Sequence, residues 1–375
     1  MEPLTRARSL LAGSAMILLS IGVVMIYSAS AIYANERMGD SAYFIKRHLA
    51  YLAAGGMLTY FMMSLDFHNL RRHAKHILIA AIVLLGVVLV PHLGHATGGA
   101  RRWFKILGFS FQPSEFLKLA IIFYMADFLD RKKHSLADLK YTVFPALFVL
   151  GICSGLVFLQ PDLGTAVTVA LVTMILFFGA GFRITYLLVM IVSAAPALLY
   201  TMMSKSYRRK RLLAFFNPWE DPRGVGFQII QSFLALGSGG LFGVGLGQSQ
   251  QKLFFLPESH TDFIFSIIGE ELGFVGASSV VLLFIVFLFA GMVIVFRSKS
   301  FFSQLLALGL VSLIGLEAVI NIGVSIGALP TKGLSLPFIS YGGSALLANM
   351  AALGLLINIS KEPPAQNAPD FQQAP

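Results

Sequence analysis

"FIFSIIGEELGFVGASSVVLLFIVFLFAGMVIVF", Phe263 to Phe296, runs for 34 residues with only the pair Glu270–Glu271 charged. An apolar run longer than about 18 residues reads as a membrane helix. At about 1.5 Å per residue this one would reach about 50 Å, against a hydrocarbon core of about 30 Å. The stretch therefore predicts a helix that tilts strongly or lifts its first turns out of the bilayer. The rest of the chain agrees. Hydrophobic residues make up 57% of the 375, charged residues 12%, and mean hydropathy is +0.78. An ordinary soluble domain carries about twice that charge. The fold class is an all-α integral membrane protein.

Working outward, apolar segments of spanning length fall at 10–33, 45–65, 76–91, 112–129, 141–159, 164–181, 185–203, 263–296, 302–326 and 338–359. They predict ten transmembrane helices, with a large outer loop at 204–262 between the seventh and the eighth. Residues 1–360 read as one domain, and the Pro/Gln-rich tail 361–375 as disordered. The first segment resembles a signal peptide but is too long for a signal core, so it reads as a retained helix. The single cysteine, Cys153, excludes an intrachain disulfide and a Cys-rich metal site.

Orientation follows the distribution of Lys and Arg. With the N-terminus inside, cytoplasmic segments hold thirteen and the short outer loops seven; the long 204–262 loop adds seven more outside. That loop sits at the length limit of the rule, so both termini are favoured inside.

The residues "ESHTDFIF", Glu258 to Phe265, crowd the mouth of the long helix. Ser259-x-x-Asp262 fits a capping box, with the aspartate favoured by the helix dipole. His260, Thr261 and Glu258 add more polarity than a cap needs. In "QPSEFLKLA", Glu115 and Lys118 stand at i, i+3 and can pair on one face. "QPDLGT" puts Asp162 at another outer helix end. Charges at membrane depth face a protein interior or a wet cavity, so at least one of Glu270 and Glu271 should point inward.

Outward basic residues form two groups, Arg101, Arg102 and Lys105 in "GGARRWFK" and Arg208 to Arg211 in "SYRRKRLLAFF". The first suits an anion such as a pyrophosphate, since arginine offers bidentate hydrogen bonds. The second reads better as a basic amphipathic stretch on anionic lipid. Two Gly/Pro-rich stretches, "GSGGLFGVGLG" at 237–247 and "LPTKGLSLPFISYGGS" at 329–344, match neither a dinucleotide fingerprint nor a P-loop. Both are expected to wall a cavity. The polar residues thus gather on one side, which points to a single extracytoplasmic cavity.

These motifs, together with "FFNPWEDPRGVGFQIIQS", "INIGVSIGALPTKGLSLPFISYGGS" and "LLANMAALGLLINIS", resemble the SEDS family (shape, elongation, division and sporulation proteins) in order and over about 10–360. The "LPTKG" and "NMAALGLLINIS" forms are closer to the division-type branch than to the elongation-type one. The resemblance implies a ten-helix peptidoglycan glycosyltransferase of the bacterial cytoplasmic membrane. It would polymerise lipid II, a disaccharide-peptide on undecaprenyl pyrophosphate, at the outer face and at the division septum. Its implied partners are lipid II and the growing lipid-linked glycan, a class B penicillin-binding protein transpeptidase (FtsI-like), other divisome membrane proteins and membrane lipids, with no nucleic acid. Asp262 matches the family's essential aspartate. Arg101, Arg102, Glu115, Lys118, Asp162, His260, Lys332, Ser340, Tyr341 and Gly342 are the implied substrate-binding positions.

On this reading Asp262 takes the proton of the acceptor sugar's 4-hydroxyl as that oxygen attacks the donor's anomeric carbon. The leaving pyrophosphate needs cations, for which Arg102, Arg101 and Lys118 are candidates, with a divalent ion (Mg or Mn) as a possible cofactor. His260 has a structural role as its alternative. Two other classes fit the same helices: a lipid flippase or transporter, weakened by the absence of visible inverted repeats, and a scaffold that binds partners.

Overall fold

The computed structural model describes residues 2–97, 100–106, 108–136, 138–204 and 206–362. The tail beyond residue 362 lies outside them. A helix stands at every one of the ten expected apolar segments: α1 (Glu2–Met38), α2 (Tyr43–Ser64), α4 (Ala74–Leu89), α5 (Pro113–Arg131), α6 (Phe144–Leu159), α7 (Leu163–Gly179), α8 (Ile184–Met203), α11 (Ile264–Arg297), α12 (Phe301–Ser325) and α13 (Gly343–Ile359). Three shorter helices join them: α3 (Phe67–Arg71), α9 (Ser206–Phe216) and α10 (Phe227–Ser238). Among the described residues, four helical stretches are long and apolar enough to cross a membrane by length and composition alone: Pro3–Met38, Leu139–Leu159, Ile264–Arg297 and Phe301–Ser325. Side chains such as Phe148, Val192 and Phe289 point outward, as a lipid solvent permits.

The core is organised around α12, which packs against α5, α7, α11 and α13. Glycines bring these helices close, since without a strong hydrophobic drive in lipid, contact depends on small residues. A Cβ at Gly315 would stand 2.8 Å from Leu288 of α11, and one at Gly354 of α13 would stand 2.6 Å from the Thr59 carbonyl of α2. The same α2–α13 seam carries Thr59 Oγ1 donating to the Met350 carbonyl at 2.9 Å. Gly22 of α1 leaves room for the backbone of Phe338, whose carbonyl would be 2.7 Å from a Cβ there.

Two elements differ from the sequence reading. A three-stranded antiparallel sheet, β1 (His95–Thr97), β2 (Ala100–Ile106) and β3 (Phe109–Phe111), interrupts the helices before α5. It carries the basic "ARRWFK" segment. The long apolar run is not one continuous helix: α11 is broken at Gly273. Gly273 adopts φ 69, ψ −167, a backbone that costs an L side chain dearly. The break frees backbone groups, and in a low-dielectric interior each must find a partner. The glycine-rich segment supplies them. Val244 and Gly245 N–H donate to the Glu270 and Glu271 carbonyls at 3.0 and 3.1 Å, and Phe274 and Val275 N–H donate to the Gly240 and Leu241 carbonyls at 2.9 and 3.1 Å. The segment 237–247 is thus a splint for α11, and it lines neither of the two cavities described below. Its expected place on the cavity wall is corrected accordingly.

Side chains reinforce the splint. Glu270 and Glu271 are both buried. Glu271 pairs with Lys252 at 2.9 Å and accepts from Ser28 of α1 at 2.7 Å. Glu270 accepts from Ser249 and from the Gln250 N–H, the latter at 2.9 Å. A buried carboxylate is costly unless paired or hydrogen-bonded: Glu271 is both, and Glu270 is held by two hydrogen bonds.

Candidate active site

A cavity of about 420 Å³ opens among α2, β2, α5, α7, α12 and the loops 258–262 and 333–343. Asp262 lies on its wall with Glu258 and Thr261. The capping box expected here does not form: the residue preceding α11 is Phe263, and no side chain caps the helix. Ser259 Oγ turns away toward the Ala29 carbonyl at 3.5 Å. The Asp262 carboxylate instead faces Gly333, where a Cβ would stand only 3.0 Å from Oδ2. Burial, and next the negative charge of Glu258, push its pKa up to about 7, against the opposing pull of Arg211. A carboxyl poised there can accept a proton near neutral pH.

The backbone that presents Asp262 is fastened at three successive carbonyls. His260 C=O accepts from the Tyr341 N–H at 3.0 Å, Thr261 C=O from Ser340 Oγ at 2.6 Å, and Asp262 C=O from Asn321 Nδ2 at 2.9 Å. Ser340 in turn accepts the Leu336 N–H at 2.8 Å. Ser340 therefore holds the site's frame and is not on the cavity wall, whereas Tyr341 and Gly342 are. His260 is also absent from the wall. Its ring is buried against Tyr33, Phe44 and Tyr341, with centroids 5.9, 4.6 and 5.8 Å away. Burial pulls its pKa below the usual imidazole value, only partly opposed by Glu258.

Glu115 and Lys118 pair at 2.8 Å as their spacing predicts. The structure adds a partner that the sequence reading missed: Lys118 also pairs with Glu317 of α12. All three are buried side chains lining the cavity. Glu317 is the single charge within the α12 helix, and that isolation was its available signal. Asp162 caps α7, accepting from Thr165 N–H at 3.1 Å and Thr165 Oγ1 at 2.9 Å, and lines the same cavity.

Arg102 reaches the cavity from β2, donating Nε to the Gln160 carbonyl at 2.7 Å and Nη2 to the Pro161 carbonyl at 2.6 Å. Arg101 is exposed and lines neither cavity, so the expected arginine pair is split. A smaller adjoining cavity of about 130 Å³ is lined by Arg102, Arg208, Arg211 and Lys332 with Asp162. Lys332 thus sits beside the main cavity, its pKa drawn down by burial against the pull of Asp162. Arg208 and Arg211, expected on a lipid surface, border this space. Arg211 is exposed, and Arg208 donates to the Thr201 carbonyl at 3.2 Å and lies over the Phe158 ring.

Among the described residues no group of three or more His, Cys, Asp or Glu is placed to hold a metal. Glu115 and Glu317 are engaged by Lys118, and Asp162 by the α7 terminus. The residues present do not fit a protein-built metal cage.

A helical bundle with apolar spans, and with an acid-and-base cavity beside a cationic one, defines a class: polytopic membrane proteins with a polar site suited to an anionic ligand. Residues 8–364 match the family described as Cell cycle protein, that of FtsW, RodA and SpoVE, and the chain belongs to it. It is 44% identical over 346 residues to the probable peptidoglycan glycosyltransferase FtsW of Geobacter metallireducens, covering 92% of each chain. Identity to the stage V sporulation protein E of Bacillus subtilis is 41% over 346 residues, 92% of this chain and 94% of that one. The fold matches a chain of a solved peptidoglycan synthase complex that coordinates polymerization and crosslinking, at TM-score 0.78 and 31% identity, over 93% of this chain and 96% of that one. The Thermus thermophilus rod shape determining protein RodA follows at TM-score 0.69 and 28% identity, over 93% and 95%.

Proposed function

We propose that this protein is a peptidoglycan glycosyltransferase that polymerises lipid II at the outer face of the bacterial cytoplasmic membrane, acting in cell division with Asp262 as general base. The observation that carries the proposal is a carboxyl with its pKa near 7 on the wall of a polar cavity, next to a second cavity ringed by four cations. Sugar transfer from a lipid pyrophosphate needs both: a base for the attacking hydroxyl and positive charge for the leaving group. Arg102, Arg208, Arg211 and Lys332 are assigned to the pyrophosphate. Lys118 is not, because two carboxylates already neutralise it.

In the membrane all ten long helices span the bilayer, with both termini cytoplasmic and the cavity facing out. The partner is a class B penicillin-binding transpeptidase, and the complex works at the septum. The deciding assay is polymerisation of lipid II in detergent by the purified protein with that partner. Detergent has no leaflets to cross, so activity there separates an enzyme from a flippase. Glycan strands are expected; none from the partnered protein would favour transport.

A further inference from the structure

Asn321 is a residue of α12 near the start of the quoted stretch "INIGVSIGALP", and the sequence reading gives it no role. It is 2% exposed and stands one turn from Glu317 on the same helix face. Its side-chain amide donates twice, to the Asp262 carbonyl at 2.9 Å and to the Leu334 carbonyl at 2.7 Å. The reverse amide orientation would set Oδ1 against two carbonyl oxygens, so the donor assignment is forced by its surroundings. The Oδ1 atom is buried with no hydrogen-bond partner. A buried polar atom left unsatisfied is costly, and the donor side of the amide must offset that cost.

The two carbonyls belong to the two segments that make the site. One carries Asp262, and the other carries Gly333, whose bare Cα faces the Asp262 carboxylate. Asn321 bridges them from a third element, one N–H to each, and does so beside Gly333, whereas Ser340 joins them at Thr261. We propose that Asn321 is a positioning residue for the transfer reaction: it holds the Gly333–Leu334 segment against Asp262, and so fixes the direction of the carboxylate and keeps water from its flank. The inference rests on the general-base reading of Asp262.

The consequence is a pH signature. The charged groups facing Asp262 are Glu258 on its own segment, Arg211 on α9 and Asp162 at the start of α7, with Lys332 next to Gly333. Across the cavity stand Arg47 on α2, Arg102 and Lys105 on β2, and the Glu115–Lys118–Glu317 cluster. Asn321→Leu alters none of these charges. It removes both donors and frees the Asp262 and Leu334 carbonyls, while the Ser340 and Tyr341 bonds to Thr261 and His260 remain. The flank by Gly333 is then expected to loosen and admit more water to Asp262. Burial is the first cause of the raised pKa, so that pKa falls.

The test measures lipid II polymerisation by the full-length protein with its transpeptidase partner across pH. Wild type should lose activity on the acid side with a midpoint near 7. In Asn321→Leu turnover should drop at least about tenfold while the half-saturating lipid II concentration stays within about twofold. Its acid midpoint should move down by about half a unit or more. Thr173→Val is the control: that hydroxyl bonds only within its own helix, to the Val169 carbonyl at 2.8 Å, and the midpoint should stay put. If Asn321→Leu does not fold or bind the partner, Gly333→Ala keeps every hydrogen bond yet crowds Oδ2, and turnover should fall with little change in half-saturation. An unmoved midpoint in a folded Asn321→Leu, or full turnover in Gly333→Ala, would overturn the positioning role alone. A wild-type profile with no acid limb would overturn the general-base reading and this inference with it.

Discussion

Asp262 is held in a state that folding disfavours when the group is ionised. Its pKa rises from 3.8 to about 7, so the folded protein binds this proton more tightly than the unfolded chain does. The associated stability is complete below about pH 4 and is lost as pH climbs through about 7. Asp262→Asn, neutral throughout, should therefore melt several degrees higher than wild type at pH 8, and the gap should close toward pH 5. A mutant no more stable at pH 8 would contradict the strained carboxylate. The cations make a second prediction. Arg102 also ties the 160–161 turn, so Arg211→Ala is the cleaner change. Losing one charge-assisted bond of about 1.5–3 kcal/mol should slow polymerisation in detergent about ten- to hundredfold. Arg211→Lys should recover part, since lysine keeps the charge without the planar fork. Full activity in Arg211→Ala would take the smaller cavity out of the reaction. At this scale the charged residues Asp262, Glu115, Lys118 and Asp162 stood out against the apolar runs beside them, but a cap explained Asp262 as well, and its assigned role came from the family resemblance. The sequence could not reveal the two bonds of Asn321, or that the exposed Arg211 borders the smaller cavity. Those depend on contacts between segments far apart in the chain.

Among the elements, the break in α11 is the feature on which the site's frame depends. The glycine-rich segment and α11 complete each other's hydrogen bonds, and residues 248–262 run directly from that splint to Asp262. A Cβ at Gly273 would meet the Leu241 carbonyl at 2.6 Å, in a conformation that L residues avoid. Gly273→Ala should cost at least about 1–3 kcal/mol and lower the melting temperature in detergent, where Gly86→Ala, with open space around it, should not. Equal melting of the two would remove the splint from the account. Helix positions were readable from apolar length alone. The excess length of the run Phe263–Phe296 was readable too, but not its cause. A glycine within an apolar run looks the same whether it breaks the helix or packs it, and the small sheet at 95–111 is too short to show a period.

For the whole molecule the account requires the cavity and the 204–262 segment to lie outside. A cysteine at Gln248, which is exposed, should react with an impermeant thiol reagent applied to intact spheroplasts, and one at His134 should not. Ser249 would be a poor probe, since it is buried against Glu270. Labelling of both from one side would break the ten-span topology. The gathering of polar residues suggested a single cavity; the structure has two adjoining ones that share Arg102, Asp162 and Gly333 on their walls.

The central claim is that Asp262 performs chemistry rather than holding structure. It is tested most directly by glycan-strand formation from lipid II in detergent, with wild type and Asp262→Asn each co-purified with the transpeptidase. Strands are expected from wild type and none from Asp262→Asn, at equal yield of folded complex. Strands from Asp262→Asn at near wild-type rate would contradict it.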